Sequence, residues 1–221
     1  MLRINTVNKI TSAVIASITA LGLATSKPAF ASDNESKIEL GYNALETGVS
    51  EDYARNRLFT NATVEINGWE VGFQGLNEIN DLDFDTYFGR NRLYLGPEDS
   101  ENYLLIDTIA NSGGIIDTRY GIRNMSLMRY LGGYGYVDME TNKDLVGINA
   151  FYGKPVKEGS LEILQSVNFP FQARPNYYTE LQFNRAIDGN PDYNGFFRIE
   201  MSNFDVKDST YLIGLTYNLG N

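Results

Sequence analysis

Several arginine and carboxylate residues recur at alternate positions of the chain, where their side chains could bind ions or polar solutes. Asp117, Arg119 and Arg123 share one face if residues 115–124 form a β-strand, and Arg198 and Glu200 are two apart in another segment. A guanidinium group offers a planar set of donors that suits carboxylates. This spacing predicts either a surface that passes or binds anions, or an internal network of ion pairs, and it does not separate the two.

The composition excludes most kinds of catalytic site. The 221 residues include no Cys and no His, so the chain has no cysteine nucleophile, no disulfide and no thiolate zinc site, and it lacks the commonest general base. No carboxylate pair or activated nucleophile is singled out by its spacing. We therefore expect neither an enzyme nor a cofactor or metal site. The net charge of −10 also argues against a nucleic-acid partner.

The first thirty-one residues have the layout of a secretory signal peptide. Arg3 and Lys9 give a basic start, residues 10–24 form an apolar run, and Ala29-Phe30-Ala31 places small residues where a signal peptidase cleaves. The alternative, a transmembrane anchor, needs about 20 apolar residues. The sequence thus predicts a signal peptide at 1–31 and a single exported domain at 32–221. The exported domain is more acidic than the whole chain, because residues 1–31 carry basic side chains and no acidic one.

Beyond residue 31 the chain alternates apolar and polar residues with period two, which is typical of β-strands. Asn67-Gly68 between two such runs indicates a hairpin turn, and 21 Gly, 15 Tyr and 12 Phe fit a β-rich protein. No segment carries the stripe of an amphipathic helix. The pattern predicts an all-β fold of about twelve strands, or ten if two weak segments do not form strands, at 38–45, 57–66, 69–77, 84–95, 102–111, 115–124, 127–138, 144–153, 160–168, 176–186, 194–202 and 209–219.

The distribution of charge indicates which face of these strands is in contact with lipid. A soluble barrel usually carries lysines on its outer face, whereas every lysine beyond residue 31 falls at a strand end or in a connection: Lys37, Lys143, Lys154, Lys157 and Lys207. A charge facing lipid costs about 2–4 kcal/mol at the bilayer midplane. We therefore predict a closed antiparallel transmembrane β-barrel with the mid-strand charges inside, including Asp117, Glu180 and Glu200.

The last strand resembles the C-terminal assembly signal of Gram-negative outer-membrane β-barrels, in the run Gly214-Leu215-Thr216-Tyr217-Asn218-Leu219. Among these proteins, the chain's size and strand number are similar to those of the small monomeric oligogalacturonate-specific porins, which are channels for acidic sugars. In that family arginines along the pore wall carry the substrate preference. The resemblance implies that the pore-lining arginines here are Arg90, Arg92, Arg119, Arg123, Arg129 and Arg198.

The leading hypothesis is an outer-membrane channel for passive diffusion of small hydrophilic solutes, with anionic or neutral sugars as its solutes. The expected partners are outer-membrane lipid, lipopolysaccharide and the barrel-assembly machinery, and the expected state is a monomer. Acidic connections, in which we place Glu46 and Glu78, would repel anions. Two alternatives stay open: a closed barrel with an adhesion or membrane-integrity role, and a soluble periplasmic β-barrel that binds an apolar ligand.

Overall fold

The structure, a computed structural model, describes residues 37–40, 43–51, 54–80, 86–112, 114–187 and 190–219. The predicted signal peptide at 1–31 lies outside the described residues. Within them, no helix is long and apolar enough to cross a bilayer. The elements are β1 (Lys37–Leu40), β2 (Ala44–Val49), β3 (Ala54–Ile66), β4 (Trp69–Asn80), β5 (Thr86–Pro97), β6 (Asn102–Asn111), β7 (Gly114–Asn124), α1 (Leu127–Tyr130), β8 (Tyr134–Thr141), β9 (Leu145–Val156), β10 (Gly159–Pro170), β11 (Asn176–Ile187), β12 (Asn190–Ser202) and β13 (Thr210–Asn218).

The strands form a closed antiparallel barrel. Each strand from β3 to β13 pairs with the next along the chain, and β13 returns to pair with β2, which pairs with β3. Because β1 and β2 pair with successive stretches of the same strand, β3, they act as one interrupted strand. The barrel therefore has twelve strands, which confirms the predicted fold class and strand number.

The first strand is interrupted where the sequence predicted a continuous segment at 38–45. The register steps from Leu40 opposite Ala62 to Ala44 opposite Phe59, so β1 and β2 together contain one residue more than the stretch of β3 that they face. Asn43 stabilises the backbone at this interruption, because its Oδ1 accepts a hydrogen bond from the backbone N–H of Asn61 at 3.0 Å. An extra residue reverses which side chains point inward, so the alternation of 38–45 does not continue through the break.

The outer and inner faces of the barrel differ in polarity as a membrane barrel requires. Large apolar side chains are exposed on the outer face of most strands. They include Leu45, Leu93, Leu104, Ile106, Ile116, Tyr120, Ile122, Met139, Ile148, Phe183, Phe197, Tyr211, Ile213 and Leu215. The alternate positions point into the interior and carry most of the strand charges. A soluble barrel has the opposite arrangement.

Short connections keep neighbouring strands in register. Asn67 and Gly68 link β3 to β4 with φ of 53° and 75°, the left-handed pair that a two-residue hairpin requires. This turn lies at the same end of the barrel as the end of β13 and as the connections 98–101, 125–133 and 157–158. We call this the terminal end; 142–144, 171–175 and 203–209 lie at the opposite end.

The predicted strand at 127–138 is wrong over its first part. Residues 127–130 form the short helix α1, and β8 begins only at Tyr134. The backbone N–H of Leu127 donates to Asn124 Oδ1 at 2.9 Å, which starts the turn, and Gly132, with φ of 74°, follows the helix. Arg129 is therefore exposed on a connection at the terminal end rather than within a strand.

Closure of the barrel can be tested by a disulfide across the first and last strands. Thr47 and Leu215 lie directly opposite each other, a separation that a disulfide spans. The double variant T47C/L215C, in a chain without other cysteines, should be oxidised to a form with altered mobility in denaturing, non-reducing gels. T47C/L93C is the control, because β2 and β5 are three strand spacings apart and should not cross-link. Cross-linking of neither pair would contradict the β2–β13 pairing.

Candidate functional site

The barrel interior is the candidate site, because it holds most of the strand charges. A twelve-stranded barrel is wider than the eight-stranded barrels that ordinary side chains just fill. Arginine and glutamate are long enough to reach each other from strands that are not neighbours. Arg57 of β3, for example, donates from Nη1 to Glu180 of β11 at 2.9 Å. Contacts of this kind divide the interior into two groups of ion pairs.

The first group, the Arg198 cluster, joins strands on both sides of the β13–β2 closure. Arg198 is 1% exposed and donates from Nε to Gln182 at 2.6 Å. The same nitrogen lies 3.0 Å from Glu180, and Nη2 pairs with Glu46. Arg57 completes the group, with its Nε 2.7 Å from Glu78. The members are Glu46, Arg55, Arg57, Glu78, Glu180, Gln182, Arg198 and Glu200.

The second group, the Arg123 cluster, is centred on a guanidinium held between aromatic rings. Arg123 is 1% exposed and donates to both carboxylate oxygens of Asp138, at 2.8 and 2.9 Å. Its Cζ lies 3.9 Å from the ring centroid of Tyr136 and 4.9 Å from that of Tyr94. Gly72 makes room for Tyr94, since a Cβ at Gly72 would be 1.8 Å from the tyrosine Cζ.

Two other arginines of the Arg123 cluster, Arg90 and Arg119, meet at Glu140. This carboxylate accepts from Arg90 at 2.9 Å and from Arg119 at 2.7 Å. Arg90 also donates to Asp107 at 2.7 Å, and Arg119 donates to Asp117 at 2.6 Å. The members are Gln74, Arg90, Arg92, Asp107, Asp117, Arg119, Arg123, Tyr136, Asp138, Glu140 and Asn149.

Both clusters are buried at their centres. In the Arg123 cluster Asp107, Asp138 and Asn149 are 0% exposed, and in the Arg198 cluster Arg198 is 1% exposed, so both centres are closed to bulk solvent. Placing unpaired charges in such surroundings is costly, and pairing with directional hydrogen bonds offsets the cost. The arginines are therefore occupied by carboxylates of the same chain.

The lumen-facing side of β10 is less buried than the cluster centres. The lumen-facing residues of this strand are Ser160, Glu162, Leu164, Ser166 and Asn168, and all five are partly exposed along the length of the strand. Lumen-facing neighbours on β9 and β11, Phe151 and Tyr178, are also partly exposed. We call this surface the β10 passage. Its polar groups are hydroxyls, an amide and one carboxylate, with the apolar Leu164 midway.

The described residues contain no cluster suited to a metal ion. No group of three or more Asp or Glu side chains among them is arranged to hold a metal ion, because the interior carboxylates are directed at arginines.

The structure places eight of the nine residues predicted to line the pore in the barrel interior. Arg198, Glu180 and Glu200 belong to the Arg198 cluster. Arg90, Arg92, Asp117, Arg119 and Arg123 belong to the Arg123 cluster. Arg129 is the exception, because it lies in α1. That these residues line an open pore stays a prediction.

Several charged residues in the barrel interior were not predicted from the sequence. Glu46 and Glu78 were placed in acidic connections, but they lie in β2 and β4, are buried, and pair with arginines. Arg57 falls at the start of a predicted strand that in fact begins three residues earlier. Asp138 and Glu140 alternate with the outward-facing Met139 in β8, whereas the predicted strand ended at residue 138 and left Glu140 outside it.

The barrel is similar to known proteins in its fold and not in its sequence. No family model matches the chain, and no curated protein matches it by sequence. A solved structure described as "KdgM porin" superimposes with a TM-score of 0.50 at 7% identity, covering 81% of this chain and all of that one. The chain has the porin fold. At 7% identity the similarity concerns the fold alone. The function of this porin-fold barrel therefore has to be inferred from the residues of its own interior.

Stability measurements can test the pairing inside this porin-fold barrel. Arg123→Met leaves the buried Asp138 without its main partner and should lower the free energy of unfolding by about 3–5 kcal/mol. The double variant R123M/D138L removes both charges and should regain much of that loss. Urea unfolding in lipid vesicles, followed by the fluorescence of the single Trp69, provides the measurement.

The matched control for R123M is Arg185→Met. Arg185 pairs with Glu158 at 2.5 Å, but the two side chains are 65% and 56% exposed, so the change should cost less than about 1 kcal/mol. Equal effects of R123M and R185M would contradict the buried network.

Proposed function

We propose that the protein is an outer-membrane channel for the passive diffusion of small hydrophilic solutes, and that the solutes move along the β10 passage between the two ion-pair clusters. The observation that carries the proposal is the partial exposure of every lumen-facing residue of β10 from Ser160 to Asn168. Hydroxyl and amide groups replace the hydration of a passing solute, while Leu164 narrows the middle of the path. The porin fold supports the same function.

The contacts of the arginines bear on which solutes pass. In the resembled family, arginines select acidic sugars; here every lumen-facing arginine is paired with a carboxylate, the least buried being Arg90. A guanidinium that already binds two carboxylates has little capacity for a solute anion. These contacts support small hydrophilic solutes in general and give no support to a preference for acidic oligosaccharides.

A closed barrel with an adhesion or membrane-integrity role is a second candidate. The observation that favours it is the burial of the cluster centres, since Asp107 and Asp138 of the Arg123 cluster are 0% exposed and Arg198 is 1% exposed. Ion networks of this kind can brace a barrel without any transport role. The two candidates differ in whether the β10 passage is continuous from one mouth to the other.

The remaining expectations belong to the same proposal. Export by the signal peptide at 1–31, residence in the outer membrane, contact with lipid and lipopolysaccharide, assembly by the barrel-assembly machinery and a monomeric state are predictions. The apolar outer face supports a membrane location, because it would be an aggregation-prone surface in water. The absence of catalytic activity is likewise a prediction.

Electrical recording tests the proposal directly. Purified residues 32–221 in a planar bilayer should give discrete current steps, small because the clusters occupy much of the interior. Ser166→Trp should reduce the step size by about half or more, since a bulky ring on the passage blocks it. The control is Val167→Trp, which points to the lipid face. Protein that inserts but gives no steps would contradict the channel and leave the closed barrel.

Thiol labelling tests the route independently of current size. In this Cys-free chain, Leu164→Cys and Ser166→Cys should react with a small water-soluble methanethiosulfonate reagent. The control Leu212→Cys, at a lumen-facing position that is 0% exposed, should react far more slowly. Equal rates at Ser166 and Leu212 would show that the passage does not lie along β10.

A further inference from the structure

One carboxylate on the β10 passage has no cationic partner. Glu162 faces the lumen three residues from the start of β10, opposite Gly153 of β9 and Gln182 of β11. Its Oε1 accepts from the Tyr134 hydroxyl at 2.9 Å and from the Ser160 hydroxyl at 3.0 Å. No lysine or arginine among the described ranges pairs with it. Two neutral donors therefore orient the carboxylate without neutralising it.

The other interior charges do not offset this one. In the Arg123 cluster four arginines face four carboxylates, and in the Arg198 cluster three arginines face four glutamates. The buried guanidinium groups are thus balanced or outnumbered by their own partners. The ion pairs of the two clusters therefore do not cancel the charge of Glu162, which is a partly exposed carboxylate on the passage near the terminal end.

We infer that the channel prefers cations over anions and that Glu162 determines this preference. The inference rests on the proposed channel function and specifies the charge of the solutes that it passes. In a narrow passage with walls of low dielectric constant, an unpaired carboxylate raises the local concentration of cations and repels anions. The preference is opposite to the one that a pore lined by free arginines would have.

The geometry of Glu162 explains why this residue is the selectivity group. Tyr134 lies at the first position of β8, at the terminal mouth of the barrel, and holds the carboxylate beside the path of the solute. Glu158, on the turn that precedes β10, carries the same charge but is exposed and paired with Arg185. A charge outside the passage is screened by salt within about 8 Å, so it contributes little to selectivity.

The test is the reversal potential across a bilayer with a tenfold gradient of potassium chloride. The unmodified channel should show a higher permeability for potassium than for chloride, and Glu162→Gln should lower that ratio by about threefold or more. Glu158→Gln is the matched control and should leave the ratio unchanged. Anion preference in the unmodified channel, or an unchanged ratio in E162Q, would overturn the inference while the channel function stands. Absence of current steps would overturn the channel function itself.

A second variant tests the role of Glu162 in channels that have already folded and inserted. Glu162→Cys can be modified in the assembled channel with a negatively charged sulfonatoethyl reagent or a positively charged trimethylammonium-ethyl reagent. The negative adduct should restore cation preference and the positive adduct should reverse it, in the same population of molecules. Equal reversal potentials after the two modifications would overturn the role of Glu162.

Discussion

The pairing of buried guanidinium and carboxylate groups across the barrel is the interaction on which the rest of the structure depends. Twelve strands enclose more space than apolar side chains from a single wall can fill, and a membrane barrel reserves its apolar residues for the outer face. Arginine and glutamate can fill this interior because their side chains are long and polar. They also bind each other through directional hydrogen bonds. Arg198 and Arg123 show the result: each is 1% exposed and bonded to groups on other strands.

This pairing also gives the interior arginines a structural role and leaves them little capacity to bind a solute. A wall of free arginines would attract anions, but a guanidinium held by two carboxylates is a structural brace. The same residues can therefore be recognised in the sequence as lumen-facing and yet contribute little to the choice of solute. The proposed route runs beside the clusters, along a strand whose inner face is mainly Ser and Asn and carries no arginine.

Local alternation was sufficient to predict most of the fold, since period two is set by the backbone of each strand. The segments at 102–111 and 115–124 match β6 and β7 closely. Alternation failed where a local feature competes with it: at 127–130, where Asn124 starts a helical turn, and near Asn43, where an extra residue shifts the phase. Which arginine binds which carboxylate could not be predicted, because partners such as Arg57 and Glu180 are brought together only by the closure of the barrel.

The most direct test of the paired interior is the solvent exchange of arginine Nε–H groups, measured by NMR on protein labelled with nitrogen-15 in detergent micelles. The Nε–H groups of Arg123 and Arg198 donate to Asp138 and Gln182 in the barrel interior. Their exchange should be at least about a hundredfold slower than that of the exposed Arg185, as expected for hydrogen bonds that open only with the surrounding structure. Exchange of Arg123 and Arg198 as fast as that of Arg185 would show a wet, unpaired lumen and contradict the account.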